Sequence, residues 1–205
     1  MMPKVSIPFL FVVLMWCVHL VHFFWGIDFG FLGIQPRHFD SILGIICSPL
    51  IHGNWKHLFS NSFPLLILGV LLFLSYEKIS IRVWCYNYLF TGIFVWVFAR
   101  GNSYHIGASG IVYGLAAFLF FSGFFRMDIK AIAVASGVAL FYGGMVWGVL
   151  PLEKGVSWES HLIGGIVGFV LAFVFRNHYK SIEIMAHEME EKESKSFEQY
   201  LNNHS

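Results

Sequence analysis

The sequence predicts an all-α polytopic membrane protein, a bundle of six transmembrane helices with a long first outer loop. Three observations predict it. Of 205 residues, 57% are hydrophobic and only 12% charged, about half the charged fraction of a soluble domain. The apolar residues fall in six runs, each close to the length of about 20 residues that a bilayer-spanning helix needs. Twenty Gly and 19% aromatic residues are spread through those runs, which suits helices packed in lipid, where Gly lets backbones approach and aromatic rings anchor at the interfaces. A water-soluble globule and a separate extramembrane domain are both excluded. A net charge of +1 without a long basic block gives no nucleic-acid signal. Cys17, Cys47 and Cys85 are an odd count without CxxC spacing, so neither a disulfide framework nor a zinc ribbon is expected.

Span one covers residues 5–27. Its apolar stretch is too long for a signal-peptide core and no A-x-A-like site follows, so it is read as a true span. The connection 28–56 is the longest, with apolar patches at 42–47 and 49–51 expected to lie in the interface. Spans two to six cover 57–75, 83–99, 109–125, 131–150 and 158–175. Residues 1–176 form the membrane domain. Residues 177–205 are a polar tail, with Glu188, Glu190, Glu191 and Glu193 among Lys192 and Lys195, to which no chemistry is assigned.

Six spans leave both termini on one side. That side carries Lys4, Lys78, Arg82, Arg126, Lys130, Arg176, Lys180, Lys192 and Lys195, against Arg37, Lys56, Arg100 and Lys154 on the other. Lys and Arg accumulate in cytoplasmic loops, so both termini are expected in the cytoplasm, with the plasma (inner) membrane as the host bilayer.

Spans two, four and six all begin on the outer side, so polar residues at their starts share one depth. Span two begins with His57 and Asn61, four apart and on one helical face. Span four begins with Gly107-Ala108-Ser109-Gly110 and span six with Ser160-His161. Polar residues at membrane depth are functional candidates by default. Span four is only about 25 Å long at 1.5 Å per residue, against a hydrocarbon core of about 30 Å. Its outer end, and the polar segment 100–105 before it, should therefore line a wet depression opening outward.

For a Ser hydroxyl to reach an imidazole, spans four and six must touch. Gly164, Gly165 and Gly168 follow His161 at +3, +4 and +7, and Gly110 and Gly114 make a small-xxx-small pair beside Ser109. Ser109 and His161 are thus placed at the end of a glycine-lined seam, with Tyr113 one turn below Ser109 to stack on or hydrogen-bond the ring. Oxyanion donors would be the Ser109 backbone N–H at a helix N-terminus and the side chains of His57 and Asn61. Asp28, Asp40, Glu153 and Glu159 are loop or span-edge residues, so the pattern reads as a Ser/His dyad without a carboxylate.

The combination of His52, His57-x-x-x-Asn61, Gly107-x-Ser109-Gly110 with Tyr113, and His161-x-x-Gly164-x-x-x-Gly168 resembles the rhomboid family of intramembrane serine proteases, over about residues 5–176. The resemblance implies Ser109 as nucleophile and His161 as general base. It implies an oxyanion hole of His57, Asn61 and backbone amides, Tyr113 packed on His161, and His52 as a structural residue of the first loop. Substrates would be membrane proteins cleaved at a small residue in or near helix-destabilised transmembrane segments, with no cofactor or metal. A Trp-Arg pair that many members carry in the first loop is replaced here by Leu43 and Gly44, which bears on lipid contact rather than chemistry.

Each candidate also has a plainer role. Ser109 between glycines could serve packing, and His57, Asn61 and His161 could be polar glue between helices. Gly144-x-x-x-Gly148 reads as ordinary packing, and Gly137 and Gly143 suggest a loosely packed fifth span. His19, His22 and His105 are given no role. Other functions considered are an inactive rhomboid-like binding protein, expected to lack the Ser or the His, and a metal site of His52, His57, His105 and His161. The spacing and the absence of a carboxylate at that depth speak against the metal. A secondary transporter would show an internal repeat, and none is evident.

Overall fold

A computed structural model describes residues 5–152, 155 and 157–178. The polar tail beyond residue 178, together with Lys4, Glu153 and Lys154, lies outside the described residues. Six helices are long and apolar enough to cross a bilayer. Span one is α1 (Ser6–Trp25), span two α3 (Trp55–Ser75), span three α4 (Ser80–Phe98), span four α5 (Ser109–Arg126) and span six α7 (Trp158–Phe175). Among the described residues the chain is all-helical, apart from an isolated β-bridge between Ile34 and His105. Cys17, Cys47 and Cys85 are free thiols.

Helix ends follow local chemistry. Gly26 adopts φ +66 to close α1. Asn54 caps α3 by accepting from the His57 amide at 2.8 Å, and Asp128 caps α6 (Ile129–Tyr142) by accepting from Ala131. Span three starts at Ser80, three residues before its expected beginning. Ser80 is buried there, its amide donating to Tyr76 O at 2.8 Å and its hydroxyl to Glu77 O at 2.9 Å, while Ile81 and Arg82 stay exposed. Span five departs most from expectation. The α-helix ends at Tyr142 and residues Gly143–Val149 continue as a 3-10 helix, the tighter winding that often marks a change of packing partner.

α5 is the central helix. It packs most extensively on α7 and also touches α6, α3 and α4, while α1 rests on α3. The core is the meeting of Leu65, Leu68, Leu72 and Phe73 of α3 with Leu115, Phe118 and Leu119 of α5 and Leu171 of α7. Span five is the outlier: Gly137 of α6 and Gly143 and Gly144 of the 3-10 segment have open space beside them, in keeping with the loose packing expected there.

The first loop folds into short helical turns that include α2 (Gly44–Cys47). Arg37 fastens it by donating to the carbonyls of Ala99 at 2.7 Å and Val97 at 3.1 Å, Trp96 Nε1 donates to His38 O, and Tyr88 Oη donates to Ile46 O. Phe39, Ile42, Leu43 and Ile46 face outward. Gly44 lies against the backbone of Gly33, and a Cβ there would overlap the Gly33 carbonyl. This loop geometry therefore has no room for any side chain at position 44.

Candidate active site

Ser109 opens α5 and His161 lies in the first turn of α7. The structure brings them together: His161 Nε2 and Ser109 Oγ are 2.8 Å apart. The other ring nitrogen, Nδ1, lies 2.8 Å from the carbonyl oxygen of Gly148. A carbonyl only accepts, so Nδ1 carries the hydrogen and Nε2 presents its lone pair to the Ser109 hydroxyl, the tautomer a general base needs. The ring of Tyr113 stacks on the imidazole with centroids 4.2 Å apart and planes 5° from parallel, and its hydroxyl donates to Met145 O at 2.8 Å. Stacking is one of the two contacts with the imidazole open to Tyr113 from the sequence.

The glycine seam explains how a short hydroxyl reaches the ring. A Cβ on Gly164 would overlap the Gly110 carbonyl oxygen, and one on Gly168 the Gly114 carbonyl oxygen. Gly110 is itself 3.1 Å, at its would-be Cβ, from Ser160 O, and a Cβ on Gly114 would run into Asn87. Two expectations are corrected. Gly165 faces open space and is no part of the seam. Gly148 is not ordinary packing either, because a Cβ on it would overlap the Tyr113 hydroxyl and approach His161 Nδ1 at 3.3 Å. Periodicity missed it since the 3-10 winding of Gly143–Val149 turns this glycine onto a face an α-helix would not give it.

On the α3 side, His57 packs on Gly107, where φ is +102 and a Cβ would meet the imidazole at 2.5 Å. Gly107 is thus required twice, by its backbone angle and by the ring that occupies its side-chain space. Asn61 is buried one turn further along, and its amide donates to His57 O at 2.8 Å. One N–H is committed to its own helix, which leaves the second for any ligand. His52 is buried, edge-on to His57 with centroids 4.9 Å apart, and its carbonyl faces His19 Nδ1 at 3.1 Å. Burial, reinforced by the neighbouring His57, pushes the His52 imidazole down to about 3, so it is neutral.

Glu159 lies at the span edge, as expected. It is buried in the first turn of α7 and pairs with Arg100 Nε at 2.9 Å. It makes no contact in place of a triad carboxylate; the Gly148 carbonyl holds that position on His161. Among the described residues, no three His, Cys, Asp or Glu side chains converge to hold a metal. The polar segment 100–105 is fixed by the antiparallel bridge of His105 to Ile34 and by Gly107 N donating to Ser48 O at 2.8 Å.

The contrast between two glycines of span five is testable. Gly148→Val is expected to displace Tyr113 and His161 and to lower any activity of the site by about two orders of magnitude. Gly144→Val, with open space beside it, is expected to leave the rate within about threefold. Equal rates for the two variants would place Gly148 outside the site.

Residues 40–178 match the rhomboid domain family model. The chain is 36% identical over 174 residues to an uncharacterized protein of Mycobacterium tuberculosis, covering 80% of this chain and 72% of that one. It is 29% identical over 158 residues to the chloroplastic rhomboid-like protein 11 of Arabidopsis thaliana, 67% of this chain and 54% of that protein. To RHOMBOID-like protein 4 of the same plant it is 32% identical over 138 residues, 63% of this chain and 33% of that protein.

Proposed function

This chain belongs to the rhomboid family, and from that premise we propose that it is an intramembrane serine endopeptidase hydrolysing peptide bonds in or near transmembrane segments of membrane proteins. The observation that carries the reading is the 2.8 Å contact of Ser109 Oγ with His161 Nε2, on an imidazole whose Nδ1–H is held by Gly148 O. Ser109 Oγ attacks the scissile carbonyl carbon as its proton passes to His161 Nε2. The oxyanion is met by the Ser109 N–H, which like the other first-turn amides of a helix lacks an intrahelical acceptor, and by His57 and Asn61. When the C–N bond breaks, His161 returns the proton to the leaving amine. Water, again deprotonated by His161, then releases the acyl group from Ser109. A carbonyl behind the imidazole orients it as a carboxylate would, but supplies a dipole instead of a full charge to the imidazolium.

The membrane domain, residues 1–176, has both termini in the cytoplasm and the site open to the extracytoplasmic side, and residues 177–205 form a cytoplasmic tail. Substrates are membrane proteins cleaved at a small residue in or near transmembrane segments that carry helix-destabilising residues.

The test is to incubate the detergent-purified protein and its Ser109→Ala variant with a panel of single-span proteins and to identify products by mass. Discrete products from the wild type alone are expected. A wild type that binds such proteins and cleaves none would instead identify an inactive family member. Asn61→Ala is expected to lower kcat by about 100-fold, since one oxyanion donor is typically worth about 2.7 to 4 kcal/mol. A change confined to KM would remove Asn61 from the oxyanion hole.

A further inference from the structure

Four residues before each member of the dyad lies a member of a second hydroxyl–imidazole pair. His105 precedes Ser109 and Ser157 precedes His161, and His105 Nδ1 is 2.5 Å from Ser157 Oγ. His105 Nε2 faces the carbonyl oxygen of Arg100 at 3.0 Å. Since that carbonyl only accepts, Nε2 carries the hydrogen, Nδ1 accepts from the Ser157 hydroxyl, and Ser157 Oγ in turn accepts from the Ser160 hydroxyl at 2.6 Å. The backbone of His105 is equally committed: its N–H donates to Ile34 O at 2.7 Å and its carbonyl accepts from Ile34 N at 2.9 Å. One imidazole, 4% exposed, thus joins the first loop, the segment leading into Ser109 and the start of the helix bearing His161.

The start of α7 shows what this costs locally. Ser157 is the N-cap residue of α7, where a serine hydroxyl ordinarily accepts from an amide of the first turn. Here it makes no such bond, because the hydroxyl is turned to His105 instead. Arg100, whose carbonyl receives His105, closes the same gap a second time through its guanidinium on Glu159. Both links cross from the loop before Ser109 to the turn that carries His161.

We propose that His105 and Ser157 are positioning residues, a buried latch that sets the register of α7 against the loop before α5 and so holds His161 Nε2 in line with Ser109 Oγ. This rests on the protease reading above. His105 is buried and Ser157 half-buried with its hydroxyl engaged by His105 and Ser160, so the pair acts through the dyad.

The test compares Ser157→Ala, Ser157→Thr, His105→Ala and the His105→Ala/Ser157→Ala double variant in the full-length protein, with cleavage of a single-span substrate and deuterium uptake at the amides of residues 157–161 as readouts. Ser157→Ala and His105→Ala are each expected to lower kcat about 10- to 100-fold with KM within about twofold, and to speed exchange at 157–161. Ser157→Thr, which keeps the hydroxyl, is expected to recover the rate. The double variant should lose no more than the worse single one, because the two side chains act as one unit. Ser157→Ala cleaving at the wild-type rate, Ser157→Thr remaining as slow as Ser157→Ala, or losses that multiply in the double variant would each overturn the latch. Should His105→Ala fail to fold, the Ser157→Ala and Ser157→Thr pair decides alone. A wild type that cleaves nothing defeats the protease reading, and the latch is then judged by exchange: faster uptake in Ser157→Ala upholds it and unchanged uptake refutes it.

Discussion

Ser109→Ala and His161→Ala are each expected to abolish proteolysis while leaving the protein folded. The two side chains touch at 2.8 Å and act as one unit, and removal of either partner in a serine protease typically costs on the order of 10⁶ in kcat, nearly as much as removal of both. The double variant should therefore be no worse than the singles. Ser109 is only partly buried and loses one oxygen, while loss of the buried His161 ring takes away the group that stacks on Tyr113 and meets the Gly148 carbonyl. Thermal unfolding of the variants alongside the wild type separates lost chemistry from lost structure. Wild-type cleavage by either variant would end the dyad assignment. So would activity that a chelator removes and zinc restores.

Gly164→Val and Gly168→Val are expected to collapse activity although neither glycine bears a reactive group. The added side chains have nowhere to go, since each Cβ would overlap a main-chain carbonyl of α5, Gly110 O in one case and Gly114 O in the other. Non-bonded heavy atoms settle at about 3.5 to 4.0 Å, so α5 and α7 must part by roughly 1 Å or more. Gly110 is the residue after Ser109, and Gly164 is one turn from His161, so the displacement passes directly into the Ser109–His161 distance. A misplacement of about 1 Å can cost about 100-fold in rate. Overpacking of this kind also typically costs about 1 to 3 kcal/mol of stability, so both variants should melt below the wild type. Gly165→Val is the matching control on the same helix, because nothing lies within 4 Å of its Cβ. Full activity in the Gly164 and Gly168 variants would mean that close contact of the helices along this face is not what brings Ser109 to His161.

The number of spans and the placement of Ser109 and His161 at one depth were determined by the sequence by itself. Apolar length is a local property that the bilayer thickness converts directly into a span, and the parity of spans then fixes which helix starts share a side. The seam was legible for a related reason: Gly164 and Gly168 recur at helical spacing, and glycines at that spacing have few uses beyond close approach. Bonds to main-chain carbonyls were not legible, because every residue has a carbonyl and none marks itself in the sequence. The partner of His161 Nδ1 is Gly148 O, the partner of the Tyr113 hydroxyl is Met145 O, and that of the Asn61 amide is His57 O. The first two were decided by tertiary packing, through the change from α- to 3-10 winding in span five that carries Gly148 under the imidazole, whereas the third is a bond within α3. Gly165 fell outside the seam for a comparable reason. Periodicity gives a residue's angle on its own helix, whereas the neighbour at that angle is set by how the helices are arranged. His105 and Ser157, 52 residues apart, show the same division most clearly: nothing in the sequence ties one to the other, and the fold alone places them in contact.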